Sequence, residues 1–126
     1  MKSKYFWVLL SAAGLMLGAQ SALAASAAVR EMAGIMMHLN HYPSDAEKAR
    51  LKAIVADMGS SAQERVIATA ISNLEHQVAA ADADKLKQVA GDMSAPSEVR
   101  DLAGIVLGIN HKPSSDDKKK LEMMMK

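Results

Sequence analysis

Apolar residues recur at helical spacing along most of the chain. Val29, Met32, Met36 and Leu39 form one stripe, and Leu51, Ile54 and Met58 form a second. Between them Asn40-His41-Tyr42-Pro43 breaks the pattern, because proline lacks a backbone donor and biases the residue before it away from helix. Ser44 with Glu47 three positions on reads as a capping box that opens the second helix. Gly59-Ser60 closes it, and Ser61 with Glu64 opens the next. No stretch alternates at strand period, so the fold class is all-α.

Written in rows of 35 from Ser26, the chain falls into three ungapped repeats, residues 26–60, 61–95 and 96–126. Arg30/Arg65/Arg100, Ala33/Ala68/Ala103, His41/His76/His111 and Leu51/Leu86/Leu121 are identical in all three rows. Met32/Ile67/Leu102, Met36/Ile71/Val106, Leu39/Leu74/Ile109 and Ile54/Val89/Met124 stay apolar. Each row predicts a helical hairpin, giving six helices. The middle row has Gln77-Val78-Ala79-Ala80-Ala81 in place of the proline turn, so its first helix is expected to run on by a turn before Asp82 caps the second. A single hairpin exposes a greasy stripe, so the three are expected to stack as a short α-solenoid, either in an open row or closed on itself. The last helix ends in Met123-Met124-Met125, which either fold over the end as a cap or meet a partner.

Ahead of the repeats, Lys2 and Lys4, the apolar run Phe6–Leu17 and Ala22-Leu23-Ala24 have the layout of a secretory signal peptide spanning residues 1–25. The run is shorter than the roughly 20 residues that span a bilayer, so no stable membrane insertion is expected after cleavage behind Ala24 or Ala25. The mature protein is then periplasmic or secreted. Without Lys2 and Lys4, the 15 basic residues fall to 13 against 14 acidic ones, a formal charge of −1. Tyr42 is the only aromatic left in the mature chain. A near-neutral chain with one ring offers neither phosphate contacts nor a stacking platform, which argues against nucleic acid. The chain has no cysteine, which excludes disulfides and thiolate metal sites.

The three equivalent histidines are the sharpest chemical feature. A histidine at the end of a helix can bond the last free carbonyls and favour the negative end of the helix dipole. It is also the commonest metal ligand. Packed helices lie ~8–10 Å apart, which argues against one site using all three unless the hairpins close into a ring. The local candidate is His38-x-x-His41, i and i+3 on one helix face behind Met36 and Met37, with His76 as a further ligand and copper, zinc or nickel as the metal. Arg30, Arg65 and Arg100 each sit beside an acid; they are either ion-paired or a ladder that receives an acidic partner. Lys118-Lys119-Lys120 follows Asp116-Asp117 and reads as a solvated face. No nucleophile–base set, glycine-rich phosphate loop or H-E-x-x-H run occurs, so no enzyme is expected.

Pro96-Ser97-Glu98-Val99-Arg100-Asp101-Leu102-Ala103-Gly104-Ile105 resembles the first helix of a HEAT-type repeat, and Ala28–Gly34 resembles it without the proline. The resemblance implies an aspartate–arginine ladder, Asp57 and Asp92 with Arg65 and Arg100, and a protein-binding scaffold. Thirty-five residues is short for that family, and the Asn-His-x-Pro-Ser turn is foreign to it. Two functions are therefore expected: a protein- or peptide-binding module, or a periplasmic metal-binding protein using histidine and methionine. Oligomeric state is left open.

Overall fold

The computed structural model describes residues 25–126, so the expected signal peptide lies, apart from Ala25, outside the described residues. Six α-helices follow in order: α1 Ala27–Met37, α2 Asp45–Ala56, α3 Ala62–Ser72, α4 Ala80–Ala90, α5 Ser97–Leu107 and α6 Ser115–Met125. The expected capping boxes are made at Ser44/Glu47, Ser61/Glu64 and Ser114/Asp117, each satisfying two backbone donors at a helix start.

The middle turn corrects one expectation. α3 does not run on; it stops at Ser72, as its counterparts stop at Met37 and Leu107. Asp82 does not cap α4. The N-cap is Ala79, without a side-chain bond, and Asp82 sits in the first turn, buried, accepting from Asn73 Nδ2. The turn therefore keeps its path without its proline.

α1, α3 and α5 contact one another at the centre, and α2, α4 and α6 lie outside them. Each outer helix packs chiefly on the inner helix that follows it: α2 on α3, α4 on α5, and α6 back on α1. The last helix thereby returns to the first and covers its stripe.

The core follows the repeat columns. Met32, Met36, Ile67, Ile71, Leu102 and Val106 fill the centre, and Leu51, Leu86 and Leu121 seal it from outside. Met58, read as part of the second stripe, is 91% exposed, because α2 ends at Ala56 before reaching it. Of the terminal methionines, Met124 is buried while Met123 and Met125 face solvent.

The ends of the inner helices converge. At one end Ser26, the N-cap of α1, bonds the Glu64 carboxylate in the first turn of α3. At the other end the chains leaving α1, α3 and α5 meet at the histidines.

Candidate metal centre

Two residues past the buried Leu39, Leu74 and Ile109, the backbone of each turn flips into the left-handed region at His41 (φ 75°), His76 (φ 68°) and His111 (φ 69°). Gln77 N–H donates to the Glu75 carbonyl at 2.7 Å, and Lys112 N–H to the Asn110 carbonyl at 2.8 Å. A bond spanning two residues around a positive φ is the rare, strained form of γ-turn. Glycine would relieve that strain, yet histidine stands there three times.

The turns are then tied into a cycle. His76 N–H donates to the His41 carbonyl (2.8 Å), His111 N–H to the His76 carbonyl (2.7 Å), and His41 N–H to the His111 carbonyl (2.6 Å). Each histidine peptide both gives and accepts one bond, and the first repeat closes on the third. This cycle fixes the Cα positions from which the three rings project.

The rings meet edge to face, with centroids 4.9–5.1 Å apart. The three Nδ1 atoms form a nearly equilateral triangle: His41–His76 3.0 Å, His76–His111 3.0 Å and His41–His111 3.1 Å. An imidazole nitrogen is either a protonated donor or a bare acceptor. Three atoms in mutual contact cannot alternate two roles, so at least one edge of the triangle opposes two lone pairs or two N–H groups. A cation shared by the three lone pairs removes the conflict.

The surroundings favour the same charge. The C-terminal ends of three helices point toward this end of the molecule, each carrying the equivalent of roughly half a negative charge. His41 is half-buried and His76 and His111 are exposed, so the triangle is reachable from solvent.

The structure brings together His41 and His76, expected as ligands, and adds His111, the third member of the same repeat column. The distance argument against a shared site fails because the hairpins close into a ring and the histidines lie on turns beyond the helices. His38 is not brought to the cluster. It is the exposed C-cap of α1, and the chain leaves the helix before His41, so the i, i+3 face does not form. Met36 is fully buried in the core. Nor do the three histidines cap helices; the C-caps are His38, Asn73 and Gly108.

Each arginine reaches back to the segment before its helix. Arg30 Nη1 donates to the Ala25 carbonyl, Arg65 Nη2 to the Asp57 carbonyl, and Arg100 Nη1 approaches Met93 Sδ at 3.3 Å. The carboxylates of the expected ladder point elsewhere: Asp57 accepts from Gly59 N–H, and Asp92 from Ser94 and Gln63. Those hydrogen bonds, with the charge of Arg100 as a smaller contribution, hold Asp92 below the usual carboxylate pKa. No helix among the described residues is long and apolar enough to cross a membrane.

No protein-family model, curated protein or solved structure matches the chain.

Proposed function

We propose that this chain is a periplasmic or secreted metal-binding protein that holds one transition-metal ion on His41, His76 and His111. The observation that carries this reading is the Nδ1 triangle with edges of 3.0–3.1 Å. Its centre lies about 1.75 Å from each nitrogen, so an ion with metal–nitrogen bonds of ~2.1 Å stands about 1.2 Å above the plane and bonds all three. Imidazole suits copper, nickel, zinc and iron alike. The backbone cycle holds the ligands in place before the ion arrives, which reduces the ordering cost of binding.

The test is metal uptake by untagged processed protein, followed by elemental analysis and calorimetry. One ion per chain is expected, with His41→Ala, His76→Ala and His111→Ala each lowering affinity at least tenfold and His38→Ala leaving it unchanged. His111→Ala binding like the parent would overturn the shared site.

A second reading has one observation in its favour. Met58 (91% exposed), Met93 (80%) and Met123 (73%) lie at the end remote from the histidines. Flexible thioether side chains adapt to varied apolar surfaces, so a protein or peptide partner would be met at that end. Met58→Lys/Met93→Lys would then abolish periplasmic cross-links while sparing metal uptake.

A further inference from the structure

We infer that the bound ion is six-coordinate, and that two of its three remaining positions receive a small 2-hydroxy acid whose second carboxylate is anchored by Lys48. This rests on the metal reading above and deepens it.

The first step is the size of the triangle. A tetrahedral ion with bonds of ~2.05 Å needs nitrogens about 3.3–3.4 Å apart, whereas angles near 90° at ~2.1–2.2 Å need about 3.0–3.1 Å. The observed edges of 3.0, 3.0 and 3.1 Å match the second geometry. Three imidazoles then occupy one face of an octahedron, leaving three adjacent positions on the other. Behind the triangle the chain leads into the buried Leu39, Leu74 and Ile109, so the free positions face solvent. Neighbouring free positions are what a chelating ligand uses.

The second step is a break in the threefold pattern. Beside His76 an open cavity of about 290 Å³ is lined by Tyr42, Lys48, Glu75 and His76. In the 35-residue register, Tyr42, Lys48 and Glu75 become Gln77, Ala83 and Asn110 at the next turn. At the third they become Lys112, Lys118 and Asn40. Only the first set joins a cation, a phenol and a carboxylate, so the three rims of the site are chemically distinct. A ligand that covers the ion from this side meets an ammonium for a carboxylate and a carboxylate for a hydroxyl. A 2-hydroxy acid with a second carboxylate supplies every complement: its hydroxyl and first carboxylate chelate the ion, Glu75 accepts from the hydroxyl, and Lys48 takes the far carboxylate.

Cobalt(II) loading of the full processed protein tests the two steps separately, because its visible spectrum reports coordination number. The expected result is uptake with the weak bands of a six-coordinate ion. Malate should then shift those bands saturably, with cobalt retained through desalting. Succinate, which lacks the hydroxyl, should bind at least tenfold more weakly. Lys48→Ala should weaken malate at least fivefold at unchanged cobalt affinity, and Lys118→Ala should not. Absence of cobalt uptake would overturn the metal reading itself. Uptake with intense tetrahedral bands would leave that reading standing and overturn this one. So would six-coordinate bands that malate does not move, cobalt stripped off by malate, or Lys48→Ala behaving as the parent.

Discussion

At the scale of single residues, the histidines are costly places to keep a side chain. A residue with a Cβ in the left-handed region is disfavoured by roughly 1–2 kcal/mol, and glycine escapes most of that. We expect His76→Gly to raise the stability of metal-free protein by about 1 kcal/mol in urea unfolding while removing metal affinity, so that added metal stabilises the parent alone. A variant both less stable and still metal-responsive would contradict the assignment. Asp92 makes a second prediction at this scale. Its bonds from Ser94 and Gln63 hold its folded pKa below the unfolded value. A depressed carboxylate contributes stability that is present above the unfolded pKa, near ~3.9, and is lost as pH falls through the folded value. Asp92→Asn should therefore be less stable than the parent at neutral pH, and the gap should close as pH falls below about 4 in acid titrations followed by circular dichroism.

At the scale of helices, most of the design was legible in the sequence, because stripes and caps are local. Ser44/Glu47, Ser61/Glu64 and Ser114/Asp117 mark helix starts whatever surrounds them, and all three boxes form. The middle turn was misread for the opposite reason. Gln77–Ala81 carries no local breaker, and what stops α3 at Ser72 is not written in its own residues. His76 is held by backbone bonds to the two other turns, contacts separated by 35 residues each way. The weak point left by that substitution is the start of α4, where Ala79 caps with no side chain although Asp82 stands at the box position. Ala79→Ser should complete the motif and stabilise the protein by about 0.5–1 kcal/mol, read as a raised urea midpoint at unchanged slope. No change would mean that the Asn73–Asp82 bond already uses the carboxylate.

At the scale of the whole molecule, the candidate site exists only because the chain closes. His41, His76 and His111 were visible as a column, and so was the condition that a ring would be needed to join them. The sequence could not show that α6 returns to α1, since Leu121 and Met124 are the same residue types in an open stack as in a closed one. His38-x-x-His41 was favoured for its sequence proximity, but the turn after Met37 separates the pair. Closure has a consequence that an open row lacks. The third repeat, residues 96–126, is four residues short of the 35-residue period, and the missing positions correspond to Asp57-Met58-Gly59-Ser60. Inserting that tetrapeptide between Lys126 and Ser26, and opening the chain between Ser60 and Ser61, should give a circular permutant with the parent's helical content and all three histidines in place. In a closed ring every repeat has the same two neighbours, so the order in which they are synthesised is immaterial to packing and to the backbone cycle. The permutant should bind one metal ion with an affinity within threefold of the parent. In an open row the same operation would join two distant ends and turn the middle repeat into a terminus, so a permutant that is unfolded, or folded without metal affinity, would show that the first and last helices do not meet.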